Sequence, residues 1–135
     1  MIFGENTLTL VEKNTNAKAI SVIGAGSWGS ALAIQLASNK RKVNLYCRNK
    51  KCFKEMLDNR TNSRYLPNIT FPENISIFSN IEDSVKEANT VIVALPSETI
   101  RDTFLQLKNT INSQAGISWA SKGIEVKSGL LIHSV

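Results

Sequence analysis

Three glycines, Gly24, Gly26 and Gly29, are spaced G-x-G-x-x-G inside the stretch AISVIGAGSWGSALA, Ala19 to Ala33. They directly follow a short β-branched apolar run and directly precede a helical period. In that setting the first glycine permits a tight bend, the second lets the main chain approach a pyrophosphate, and the third brings the helix close to the strand. The start of the helix adds free N–H groups and about half a positive charge, so the turn is suited to receive an anion. A tight turn with no ligand is the competing reading of the same spacing. Its place within a β-α-β unit favours a dinucleotide.

The end of the second strand bears on which dinucleotide. A site selective for NAD usually carries Asp or Glu there, about 20 residues after the glycines, to bind the ribose hydroxyls. This chain has Tyr46-Cys47-Arg48-Asn49-Lys50-Lys51 instead. With no carboxylate to repel a 2′-phosphate, the sequence predicts acceptance of NADPH, with NAD also possible as cofactor. Arg48 lies directly at the strand end and is the stronger candidate; Lys50 and Lys51 either assist it or form a solvated helix start.

These residues need a scaffold, and the apolar pattern supplies one. Strands are predicted at Lys18–Ile23, Lys42–Cys47 (with Val43, Leu45 and Cys47 on one side), Asn74–Phe78, Thr90–Leu95 and Gly116–Ala120. Helices are predicted at Trp28–Asn39 with Leu32 and Leu36 on one face, at Asn49–Asn59 and at Ile81–Ala88. A further helix carries Ile100, Phe104 and Leu107 and is capped by Ser97. Arg60–Pro72, holding Pro67 and Pro72, reads as a loop. Strand and helix alternate, which predicts an α/β, Rossmann-type doubly wound, mostly parallel sheet with helices on both faces. Right-handed crossovers then bring the carboxyl ends of the strands to one edge.

Composition narrows the functional classes. The chain has 135 residues, 42% hydrophobic and 20% charged, with a net charge of +5. A chain of this size buries roughly 68% of its unfolded surface and sustains a core without staples. No run reaches the ~18 apolar residues of a membrane-spanning helix, and residues 1–17 lack the pattern of a signal peptide, so a cytoplasmic location is expected. Cys47 and Cys52 are the only cysteines and His133 the only histidine, so no closed metal site is expected and both thiols read as reduced. Between Lys40 and Arg64 nine basic residues face only Glu55 and Asp58, a local excess of seven that leaves a net of −2 on the remainder. A phosphorylated small molecule suits that block better than nucleic acid, because its cations are spread over strand, helix and loop without aromatic platforms.

Four further stretches stand in a telling order. They are Ser27-Trp28 inside the glycine turn, Tyr65-Leu66-Pro67, Ala94-Leu95-Pro96-Ser97 and Ser121-Lys122-Gly123-Ile124-Glu125. With them, residues 18–135 resemble the amino-terminal domain of bacterial NAD(P)-dependent glycerol-3-phosphate dehydrogenase. The resemblance implies that Gly24, Gly26 and Gly29 cradle the pyrophosphate while Ser27 and Trp28 line the cofactor site. It also implies that Arg48 meets the adenosine ribose or its phosphate, that Pro96 sits beside the nicotinamide, and that Lys122 lies where cofactor and substrate meet. Three positions depart from the family pattern: Ser30 for threonine, Asn68 for the glycine that commonly follows Tyr-Leu-Pro, and Leu95 for valine.

The reaction so implied is reversible reduction of dihydroxyacetone phosphate to sn-glycerol 3-phosphate for phospholipid synthesis. Negative charge develops on the ketone oxygen during hydride transfer, and a lysine ammonium such as that of Lys122 stabilises it and helps deliver a proton. The resemblance further implies a helical second domain absent from these residues, so that this portion alone is expected to be inactive, and it allows a homodimeric full-length enzyme. Residues 1–17 read as an amino-terminal extension, flexible or adding an edge strand at Leu8–Val11. A helix is expected to begin near Gly129. Two other functions fit parts of the sequence: the cofactor domain of another two-domain hydroxy-acid dehydrogenase, and a non-catalytic module that senses NADPH.

Overall fold

The computed structural model describes residues 18–135; the expectations for residues 1–17 lie outside the described residues. Strands β1 (Ala19–Ile23), β2 (Val43–Tyr46), β5 (Ile75–Phe78), β6 (Ala88–Val93) and β7 (Gly116–Trp119) form one sheet in the order β5-β2-β1-β6-β7. Every pairing in that sheet is parallel. Chain order runs outward in one direction from β1 through β2 to β5, then returns to the other side of β1 with β6 and β7. The order therefore reverses between β1 and β6, which is where α/β sheets open a crevice for ligands.

Neighbouring residues of β1 show why two layers of helices are needed. Val22 and Ile23 are both fully buried, and because side chains alternate along a strand they enter different cores. Val22 packs with Ala33 and Ala37 of helix α1 (Ser27–Ser38), Met56 of helix α2 (Lys50–Asn59), and Val43, Leu45 and Ile75. Ile23 packs with Ile81 and Val85 of helix α3 (Ile81–Val85), Ile100 and Leu107 of helix α4 (Ser97–Leu107), and Val91 and Val93. Full burial of one such aliphatic side chain is worth about 1.5–3 kcal/mol, so both faces of the central strand contribute to stability. Asn44 and Ser84 are polar but buried, and the Asn44 amide donates to the Ser84 carbonyl at 2.9 Å. The buried polar groups between β2 and α3 are thus partnered.

The expected doubly wound fold is present, with local corrections. Helix α1 buries Gly29, Ser30, Ala33 and Ala37, while Leu32 and Leu36 are only partly covered. Small residues on that face let the helix lie close to the sheet. The segment expected as a loop, Arg60–Pro72, contains β3 (Thr61–Asn62) and β4 (Leu66–Thr70), paired antiparallel. Pro67 and Asn68 disguised the pairing, because neither favours a strand. Asn68 has φ of 65°, a left-handed conformation that glycine adopts freely and asparagine tolerates. Ser97 is the first residue of α4 rather than its cap; Pro96 holds the cap position without a side-chain bond. No helix starts at Gly129, whose φ of 68° belongs to a turn spanned by an Ile124–Leu131 bridge, and a single 3₁₀ turn follows at Ile132–Ser134.

Among the described residues β7 has a strand neighbour only on its β6 side, and all four of its residues are exposed. Ile117 and Trp119 from this strand, with Leu105, Ile111 and Ile132, help line a broad cavity of about 580 Å³.

Candidate functional site

The crevice between β1 and β6 is built by two turns in direct contact. Gly24 follows β1 with φ of 116°, and a Cβ there would stand 2.4 Å from the Ala94 carbonyl oxygen, just after β6. A Cβ on Gly29 would stand 1.8 Å from the Gly24 carbonyl oxygen. Both glycines are therefore required by the protein's own packing. Gly26 differs: a Cβ on it meets nothing within 4 Å. The second glycine of the motif faces open space.

Helix termini in this chain separate into two kinds. Asn49 and Asn80 cap α2 and α3, their side chains accepting from the N–H groups of Cys52 and Asp83 at 3.0 Å. Helix α1 has Gly26 in the cap position and no side-chain cap, and α4 likewise has none at Pro96. The first N–H groups of a helix need partners, and α1 leaves its own to whatever occupies the space beside Gly26. An anionic diphosphate meets that demand.

Two cavities flank this turn. Trp28, Ala94, Leu95, Ala120, Ser121 and Lys122 line one of about 390 Å³. Tyr46, Arg48, Leu95, Pro96, Thr99 and Asp102 are among the residues lining another of about 500 Å³. Both volumes lie in the range of small-molecule sites. Leu95 belongs to both walls. The structure thus brings Trp28 to Lys122 and Arg48 to Pro96, as two halves either side of Leu95. Ser27, exposed, begins α1 directly after Gly26 and is not among the residues lining either cavity. Lys50 and Lys51, also exposed, are not among the residues lining the Arg48 cavity.

Burial raises the Tyr46 hydroxyl above its ordinary pKa, with the Arg48 guanidinium pulling the other way. Burial likewise raises the Cys47 thiol, opposed by its hydrogen bond to the Asn49 carbonyl. Asp102 from α4 brings a carboxylate to the Arg48 cavity that the residues around the second strand do not reveal.

The loop carrying Lys122 is tied down on both sides. The Ser121 hydroxyl donates to the Leu95 carbonyl at 2.5 Å. Three residues beyond Lys122, Glu125 is only 3% exposed and accepts two bonds from Arg101 of α4, Nε to Oε1 at 2.7 Å and Nη2 to Oε2 at 2.9 Å. Ser128 also donates to the Glu125 carboxylate. The Arg101 and Ser128 bonds hold the Glu125 carboxyl down to about 2. Gly123, between them, has φ of 97° and nothing within 4 Å of its Cβ position. Lys122 itself is exposed, at the rim of the first cavity. His133 is exposed and lines the separate cavity by β7.

A parallel sheet in the order β5-β2-β1-β6-β7, with a bare glycine turn and an uncapped helix at the point of strand-order reversal, defines the class: a doubly wound domain of the dinucleotide-binding type. Comparison with known proteins makes the assignment particular. Residues 19–135 match the family described as NAD-dependent glycerol-3-phosphate dehydrogenase N-terminus, and the chain belongs to that family. It is 38% identical over 120 residues to the glycerol-3-phosphate dehydrogenase [NAD(P)+] of Shewanella frigidimarina, covering 89% of this chain and 36% of the relative. It is 42% identical over 106 residues to the enzyme of the same name from Clostridium botulinum, covering 78% of this chain and 32% of the relative. The crystal structure of glycerol-3-phosphate dehydrogenase from Coxiella burnetii superposes with a TM-score of 0.83 at 32% identity, over 87% of this chain and 36% of that one. The chain thus spans about a third of the length of these relatives.

Proposed function

We propose that this chain binds NADPH or NADH across the β1–β6 crevice and, in the complete enzyme, serves the reversible reduction of dihydroxyacetone phosphate to sn-glycerol 3-phosphate. The observation that carries the reading is the open space at Gly26, beside an uncapped helix start, between two glycines that the fold itself requires. The diphosphate is received by Gly24, Gly26 and Gly29 and by the first N–H groups of α1, with Ser27 at the helix start. Arg48 pairs with the adenosine ribose or its 2′-phosphate. Trp28 bounds the nicotinamide half, whereas Pro96, expected beside the nicotinamide, lines the Arg48 cavity instead.

When bound, the nicotinamide would supply hydride to the ketone carbon or, in reverse, accept it from the carbon bearing the alcohol. The charge that this step places on the ketone oxygen requires a cation positioned beforehand, because reorganising water around it would be slow and costly. Lys122 is the candidate for that cation: its loop is held to Leu95 by Ser121 and to α4 by Glu125, and the residue lines the cavity shared with Trp28. The same ammonium can pass a proton to the forming alkoxide. Phospholipid precursor supply follows as the purpose of the product. A cytoplasmic setting fits the two free cysteines, which a reducing compartment preserves. Among the described residues no helix is long and apolar enough to cross a membrane.

Titration of the protein with NADPH and NADH, followed by the fluorescence of Trp28 and Trp119, tests the binding step; absence of binding to either would overturn it. In the complete enzyme, Lys122→Ala is expected to keep nucleotide affinity and lose roughly 10²–10⁴-fold in kcat with dihydroxyacetone phosphate. Undiminished turnover would remove Lys122 from the chemistry.

A further inference from the structure

The β3–β4 hairpin places one side chain under the glycine turn. Asn62 is 2% exposed, and its amide nitrogen donates both to the Ala25 carbonyl and to the Ser30 hydroxyl, each at 2.9 Å. An asparagine amide has two N–H donors, and these two bonds use both. Ala25 lies between the first two glycines of the motif, and Ser30 lies in the first turn of α1. One residue from a distant hairpin therefore holds the turn and the helix that follows it.

We infer that Asn62 is a positioning residue for the diphosphate-binding turn, an inference that rests on the cofactor reading above. The Ala25 carbonyl and the Gly26 N–H belong to one planar trans peptide unit and point in opposite directions. Holding the carbonyl on the Asn62 side fixes the Gly26 N–H on the other side. Without that bond the peptide unit is free to rotate, and glycine on its carboxyl side offers little resistance. A turn rich in glycine carries the freedom that lets a ligand approach and also the entropy that binding must remove. A buried donor that orders it in advance lowers that cost.

The hairpin is rigid enough for the task. Arg60, just before β3, donates from Nη2 to the carbonyls of Pro72 and Ile75 at 2.6 and 2.9 Å, which fastens it to the start of β5. The Phe71 N–H donates to the Arg60 carbonyl at 2.6 Å, and the Phe71 ring is buried in the same core as Val22 and Ala33. A shift in register lies between Thr61 and Asn62, as at a bulge, where a side chain is redirected out of the ladder.

The test compares wild type with Asn62→Ala and Asn62→Asp in the intact protein, with melting temperature as the monitor of folding. Asn62→Asp is nearly isosteric, so it carries the test should the alanine variant not fold. Its carboxylate accepts but does not donate, and it faces the Ala25 carbonyl. Expected is a loss of NADH and NADPH affinity of about 5- to 30-fold for Asn62→Ala, and more for Asn62→Asp, scaled to the loss of one or two buried hydrogen bonds. Affinity for 2′-AMP, which lacks the diphosphate, should stay within about twofold of wild type, on the same scale. Amide hydrogen exchange at Gly26 without ligand should quicken in both variants. Unchanged dinucleotide affinity, or an equal loss for 2′-AMP and NADPH, would overturn the positioning role while leaving the cofactor reading intact. Failure of the wild-type protein to bind either dinucleotide would overturn both.

Discussion

Alanine at each of the three motif glycines separates what the fold requires from what a ligand requires. At Gly29 the added methyl would lie 1.8 Å from the Gly24 carbonyl oxygen, whereas ordinary van der Waals contact begins near 3.4 Å. The obstacle is backbone, so α1 must move bodily by an ångström or more from β1. Overpacking in a tight core costs about 1–3 kcal/mol when side chains can yield, and the upper end or beyond applies where they cannot. At Gly24 the overlap is smaller, 2.4 Å from the Ala94 oxygen, but φ of 116° adds roughly 1–2 kcal/mol of backbone strain for a residue with a Cβ. At Gly26 neither penalty exists: φ is −73° and the space is open. Gly26→Ala should therefore cost under about 1 kcal/mol in stability, chiefly through the poorer cap. Thermal unfolding should show a loss of about 10 °C for Gly29→Ala and only a few degrees for Gly26→Ala. Nucleotide titration of the stable Gly26→Ala protein should show the reverse order, with affinity reduced roughly 10- to 100-fold by a methyl standing where the diphosphate approaches. A Gly26→Ala protein that folds well and binds NADPH as tightly as wild type would refute the reasoning.

Arg48→Ala should weaken NADPH by about 1.5–3 kcal/mol, the range for a charged hydrogen bond, and NADH by less. Equal losses in parallel titrations would reassign Arg48 to a general role, and Asp102 across the same cavity makes Asp102→Asn the informative companion. The Glu125 carboxyl, held down to about 2 from 4.5 by Arg101 and Ser128, contributes stability that is fully present above about pH 4.5 and is lost as pH falls through about 2. The melting temperature of wild type should exceed that of Glu125→Gln by a constant margin at neutral pH, with the margin closing on acidification. A margin unchanged between about pH 5 and pH 2.5 would mean that the pair does not act as described.

Much of the scaffold was legible because its signals are local and periodic. β-branched runs such as Ile20–Ile23 and Val91–Val93 read directly as buried strands, and the glycine spacing announces the turn between β1 and α1. The β3–β4 hairpin was not legible, because nothing in Thr61–Asn62 or in Leu66–Thr70 alternates. Its stability comes from distant partners: Arg60 on the β5 entry, Phe71 in the core and Asn62 on Ala25. The same limit hid the tie of Arg101 to Glu125, which are 24 residues apart. Ser97 illustrates a local rule overridden: the Thr99 hydroxyl, not that of Ser97, bonds to the Pro96 carbonyl, at 2.9 Å, and the helix starts one residue earlier than a serine cap would have it. Asn68 shows the opposite case, where the left-handed φ is one that glycine would adopt without strain and asparagine tolerates.

The outer strand β7 has a consequence for handling the protein. Ile117 and Trp119 stand 44% and 43% exposed on it, next to a groove walled by Leu105 and Ile111. A row of amide and carbonyl groups at such a rim invites a foreign extended segment to dock along it. Among the described residues no further strand covers this border, so dilution or an added chaperone is expected to govern how much of the protein stays dispersed. Concentration becomes as much a variable of any measurement as the nucleotide added.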